Sequence, residues 1–90
     1  MEKFAETFKA LAHPIRLRIV CGLIKKEECN VSIMVEKLDL PQPTVSQHLT
    51  ILKNAGVIQG FRNGTQICYR VTDETTKRII AALGDEICES

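Results

Sequence analysis

Tryptophan is absent from this sequence, and tyrosine and phenylalanine contribute only 4% of its 90 residues, so any core must be aliphatic. No apolar run approaches the roughly 18 residues that cross a bilayer, and Met1-Glu2-Lys3-Phe4 lacks the apolar segment of a secretory signal. A cytoplasmic protein with no membrane partner is therefore expected. The four cysteines, Cys21, Cys29, Cys68 and Cys88, form no Cys-x-x-Cys pair, and no nucleophile stands at a set spacing from a base. That argues against an enzyme and leaves a small thiol oxidoreductase as the weakest function class. Without a secretory signal the cysteines are expected to be thiols in the resting cell. Carboxylates are missing from Leu40 through Thr72, where His48, Lys53, Arg62 and Arg70 fall; all eleven acidic residues lie outside this stretch. The net charge of +1 conceals a middle that tolerates a polyanion.

What is present is ordinary globular composition, 44% hydrophobic and 26% charged, and the length permits one domain, residues 1–90. Phe4, Phe8 and Leu11 recur at helical spacing until His13-Pro14 interrupts them. Pro14 opens a second, strongly apolar helix through Ile15, Leu17, Ile19, Val20, Leu23 and Ile24, the expected centre of the core. Ser32 is the expected N-cap of a short helix ending at Leu38, and another helix begins near Gln42, carries Val45, Leu49 and Leu52 inward, and closes at Asn54-Ala55-Gly56. Two short helices across a tight turn are a helix-turn-helix.

Beyond Gly56 the period falls to two. Val57–Arg62 and Ile67–Val71 read as strands joined through Asn63-Gly64, with Ile67, Tyr69 and Val71 on one face and Gln66, Cys68 and Arg70 on the other. Thr72 or Asp73 then caps a last helix striped by Ile79, Ile80, Leu83 and Ile87. The expected fold is mainly α with a small β-hairpin, a winged helix-turn-helix. The apolar stripes of the first and last helices exceed the needs of one small core and are expected to form a homodimer.

Gln42, Thr44, Ser46, Gln47 and His48 interleave with the buried positions of the fourth helix and carry groups suited to base edges and phosphates of double-stranded DNA. Arg62, Asn63, Gly64 and Thr65, with Gln66, form the hairpin tip, a wing able to run along the backbone or the minor groove. Arg16 and Arg18 are expected in a phosphate contact or, more commonly, a surface ion pair.

The segments Leu11–Ile19 and Gln42–Ile58 resemble the ArsR/SmtB repressors of bacteria, and the resemblance extends over nearly the whole chain. It implies a homodimer on a pseudo-palindromic operator and an inducer that releases the DNA. Many members hold a metal in the segment Glu-Leu-Cys-Val-Cys-Asp-Leu; here the matching residues are Glu28-Cys29-Asn30-Val31-Ser32-Ile33-Met34, without the motif's cysteines or aspartate. The family's other metal site needs histidines in the last helix, whereas His13 and His48 are the only histidines here. No metal and no cofactor are expected. Cys21 and Cys88 instead resemble the cysteine pair of the persulfide-sensing branch, which includes the biofilm-growth and sulfide-oxidation repressors. The resemblance implies that reduced protein binds the operator and that a disulfide or polysulfide between Cys21 and Cys88 releases it, with a persulfide, polysulfide or oxidant as inducer. A repressor responding to a metal or metalloid through Cys21, Cys29 or Cys88 is the alternative. Gly22 is expected to admit a second helix close to Cys21, Cys68 is read as packing and Cys29 as an incidental thiol.

Overall fold

The computed structural model describes residues 1–88. The chain runs α1 (Glu2–Leu11), α2 (Pro14–Lys25), α3 (Val31–Leu38), α4 (Gln42–Asn54), β1 (Ile58–Asn63), β2 (Gln66–Val71) and α5 (Glu74–Ile87). This is the winged helix-turn-helix expected from the periodicities.

The boundaries follow from local chemistry. His13 is extended and caps α2 through Nδ1, which accepts from the Ile15 N–H at 3.1 Å, while Pro14 occupies the first turn, where no intrahelical donor is needed. Asn30, rather than Ser32, caps α3: its Oδ1 accepts from the Ile33 N–H at 2.9 Å, and the helix has already begun at Val31. Ser32 is therefore inside the first turn, too late to satisfy that donor. Asp39 ends α3 in the left-handed region at φ 54°, one of the residue types that tolerates it. At the end of α4 the Gly56 N–H reaches the Lys53 carbonyl and the Val57 N–H reaches the Leu52 carbonyl, both at 3.0 Å. Gly56, at φ 78°, thereby makes a Schellman stop that turns the chain into β1.

The two strands are antiparallel, with Ile58 opposite Val71 and Asn63 opposite Gln66. The register places the two-residue turn at Gly64-Thr65 instead of Asn63-Gly64. Gly64 alone supplies a positive φ, 68°, which is the requirement of a turn with glycine first. Asn63 stays in the ladder as the last residue of β1. Asp73 caps α5 twice over, its Oδ2 accepting from the N–H and the hydroxyl of Thr76, each at 2.8 Å.

The core is aliphatic. Val20, Val45, Leu52, Val57, Ile58 and Ile80 are fully buried, with Leu49, Ile19 and Met34 beside them. In α1 the buried residues are Thr7, Ala10 and Leu11, so Phe4 and Phe8 remain 52% exposed, as does Leu83 on α5 at 50%. Gly22 does not receive a helix: a Cβ there would meet the Glu28 side chain, which lies over it from the loop after α2. Among the described residues, no helix is long and apolar enough to cross a membrane.

The cap assignment has a direct consequence. Asn30→Ala should destabilise the domain by about 1 kcal/mol, and Ser32→Ala should stay within about 0.5 kcal/mol of the parent, as measured by urea unfolding. The reverse order would return the cap to Ser32.

Candidate nucleic-acid interface and thiol site

The outer face of α4 is built by alternation with its anchors. Val45, Leu49 and Leu52 fix the helix against the core, and Gln42 and Gln47 stand exposed while Thr44 and Ser46 are half-buried. Pro43, Ser46, Gln47, Thr50 and Ile51 form one shallow, open depression on that face. Pro43, Thr50 and Ile51 were not singled out from sequence. Ile51, 42% exposed, is an aliphatic side chain outside the inward phase of Val45, Leu49 and Leu52. Arg62, Asn63, Gly64 and Thr65 are all exposed at the hairpin tip, and behind them the Arg70 guanidinium lies 4.8 Å from the centre of the Phe61 ring.

His48 is placed differently from its neighbours. Its ring packs against that of His13, centroids 4.6 Å apart at 49°, and its Nδ1 lies 3.3 Å from Nη1 of Arg16. A guanidinium only donates, so Nδ1 accepts and the imidazole is neutral with its proton on Nε2. Arg16 also donates through Nε to the carbonyl of Ala10 at the end of α1. His48 is thus half-buried and turned by Nδ1 toward the junction of α1, α2 and α4, where it meets Arg16 and His13. Arg18 donates to the Lys37 carbonyl at 3.4 Å. For both arginines a backbone carbonyl replaces the expected ion pair.

The cysteines form two pairs, and none of those described is free: Cys21 with Cys88, and Cys29 with Cys68. Cys21 is buried on α2 and Cys88 caps the end of α5; their α-carbons are 5.6 Å apart, within the range a direct disulfide requires. Both line a groove of about 920 Å³ that also exposes Arg18, Lys25, Lys26 and Lys37. Lys25 reaches across Gly84 of α5 to the Asp85 carboxylate at 3.1 Å, a second, ionic tie between the same two helices. The second pair corrects the view of Cys29 as incidental and of Cys68 as packing. Sequence periodicity could not bring them together, because 39 positions separate them and Cys29 lies in a loop. Among the described residues, no group of three or more histidine, cysteine, aspartate or glutamate side chains is arranged to hold a metal ion.

Burial lowers the pKa of His48 from 6.5, and the neighbouring His13 and Arg16 lower it further. The folded protein therefore binds a proton at this site less readily than the unfolded chain, so stability falls as pH drops below about 6.5 toward the folded value. Wild type should lose more stability than His48→Gln between about pH 8 and pH 5.5. Equal losses in urea titrations would show that His48 is not held neutral by this packing.

The model of the bacterial regulatory protein, arsR family, matches residues 13–59, spanning α2, the helix-turn-helix and the start of the wing. The transcriptional repressor SmtB of Mycobacterium tuberculosis is 42% identical over 80 residues, 89% of this chain, which spans 58% of that relative's length. The crystal structure of the repressor BigR from Xylella fastidiosa superposes with a TM-score of 0.82 at 34% identity, covering 98% of this chain and 86% of that one. The solution structure of a homodimeric winged helix-turn-helix DNA-binding domain from Mycobacterium bovis gives a TM-score of 0.82 at 30% identity, covering 93% of this chain and 77% of that one. The family consists of DNA-binding regulators and not of enzymes, and this chain belongs to it: it is an ArsR-family protein.

Proposed function

We propose that this chain is a homodimeric repressor that binds a pseudo-palindromic operator when reduced and releases it when Cys21 and Cys88 are joined. The observation that carries the reading is the position of that sulfur bond, between the buried helix against which α4 packs and the end of the helix whose Leu83 remains exposed. Phe4 and Phe8 on α1 and Leu83 on α5 supply the apolar surface for a second copy, and the M. bovis relative is a homodimer. Gln42, Thr44, Ser46 and Gln47 would meet base edges and phosphates in the major groove, with Arg62, Asn63, Gly64 and Thr65 on the flanking backbone or minor groove. The acid-free middle of the sequence removes the repulsion such a surface would otherwise meet.

The switch chemistry balances with either of two inducers. A hydroperoxide accepts the two electrons of the thiol pair, giving the disulfide, water and an alcohol, or two waters from hydrogen peroxide. An organic persulfide gives the disulfide, its parent thiol and hydrogen sulfide, with the thiolate attacking sulfane sulfur. Arg18, Lys25, Lys26 and Lys37 line the groove with Glu28, and their excess positive charge draws anionic reagents toward it. The α-carbon separation of 5.6 Å in the bonded pair is that of an ordinary direct disulfide. The similarity to BigR supports the same reading, since that repressor lies in the persulfide-sensing branch.

Reduced protein should form a dimer whose duplex affinity falls with salt. Arg62→Ala should weaken all duplexes alike and reduce the salt slope by about one ion, whereas Gln47→Ala should relax sequence preference. Cys21→Ser and Cys88→Ser should bind duplex as the reduced parent does and fail to release it with an organic persulfide or peroxide. Release that persists in both serine variants would remove the switch from this pair, and release by stoichiometric metal binding to the reduced parent would replace it with metal sensing.

A further inference from the structure

We infer that Cys29 and Cys68 constitute a second modification site, a thiol pair that a hydroperoxide closes to lock the wing onto the helix-turn-helix. The inference is independent of the role proposed for Cys21 and Cys88. Cys29 lies in the loop between α2 and α3, immediately before the residue that caps α3, and Cys68 lies in the second strand of the wing. Their α-carbons are 4.8 Å apart, and both side chains are half-buried.

Two further contacts show that this approach is a built junction. The Tyr69 N–H donates to the Cys29 carbonyl at 2.9 Å, so the loop pairs with the free edge of β2. Asn30, while capping α3 through its oxygen, donates through Nδ2 to Oε1 of Gln66 at 3.1 Å. The loop thus grips the wing by backbone, amide and sulfur at successive residues, and one of those residues also holds the start of the helix-turn-helix.

The ring closed by this bond contains α3, α4, β1 and the start of β2, which is the whole DNA-reading head. The ring closed by Cys21 and Cys88, 67 positions apart, encloses it. The two nested bonds constrain different things. The outer bond ties α2 to α5 and leaves the wing free, whereas the inner bond fixes the wing relative to α3 and leaves α5 untouched. Arg70 shares a strand face with Cys68 and is exposed to solvent there. The Cys68 thiolate attacks the peroxide oxygen, giving Cys68 sulfenic acid and releasing hydroxide or alkoxide, which takes up a proton. Attack by the Cys29 thiolate on that sulfenic sulfur forms the disulfide and expels the second oxygen as water.

Closing the head restricts the unfolded chain and leaves the capping and ladder contacts in place, so oxidation at this pair should stabilise the head without releasing DNA. The test uses the full chain carrying Cys21→Ser and Cys88→Ser, treated with hydrogen peroxide. A duplex selected from a random-sequence pool with the reduced parent serves as the probe. Intact mass should fall by two hydrogens, a non-reducing digest should yield one Cys29–Cys68 linked peptide, and Tm should rise by about 10 °C. Exchange of the Tyr69 amide should slow, and duplex affinity should change by less than about threefold. Adding Cys29→Ser should abolish both the mass loss and the Tm rise. Sulfinic acid without a linked peptide, or a linked peptide without stabilisation, would overturn the inference. So would loss of duplex binding on oxidation, which would make the inner pair a release switch. The outer-pair reading fails separately, by persistent release in the single Cys21→Ser and Cys88→Ser variants.

Discussion

The burial of one helix governs the rest of this structure. α2 is the central helix: Ile19, Val20, Cys21 and Gly22 are buried consecutively along it, while its C-terminal Ile24 and Lys25 reach solvent. A helix with that many buried positions needs several partners, and α1, α4, α5 and β2 all pack on it. The reading helix and the apolar helices available to a second copy therefore share one rigid support. Cys21 is a residue of that support. A bond formed there acts on a packed element that cannot deform gradually, which is what a switch requires.

The support also determines which polar groups of α4 face solvent. α4 presents Gln42 and Gln47 outward because Val45, Leu49 and Leu52 are committed inward. His48 lies between the two sets, half-buried with its ring against His13 and Nδ1 beside Arg16, so it also contacts the junction of α4 with α2. The wing is held at its base by the buried Ile58–Val71 pair, and its tip is left to the polar turn residues.

Most of the architecture was legible because it rests on local patterns: Pro14 and Pro43 at helix starts, Gly56 at a helix end, and the change of period after it. Helix starts were less legible where two capping residues compete within one turn. Asn30 precedes Val31 and prevails over Ser32, since only the earlier residue is outside the helix when its side chain bonds the Ile33 N–H. Gly64 marked the hairpin, yet the cross-strand pairing of Asn63 with Gln66 decided the turn's register. The Cys21–Cys88 pairing entered through family resemblance. The Cys29–Cys68 pairing had no sequence signal, because it depends on a loop meeting the edge of β2, a long-range backbone contact without periodicity. The contacts of His48 were not legible for a related reason: helical phase gives a side chain's direction, and its partners Arg16 and His13 lie on α2 and just before it.

The central claim is that joining Cys21 to Cys88 changes how two reading helices are presented to DNA. It is tested most directly by spin labels attached at Gln47 of both protomers through a non-cysteine handle, in a chain carrying Cys29→Ser and Cys68→Ser. Pulsed electron resonance would then measure their separation with the outer pair reduced and bonded. In the reduced dimer the account predicts a narrow distribution compatible with major grooves one turn, about 34 Å, apart, and a displaced or broadened one once the bond forms. An unchanged distribution on bonding would contradict it.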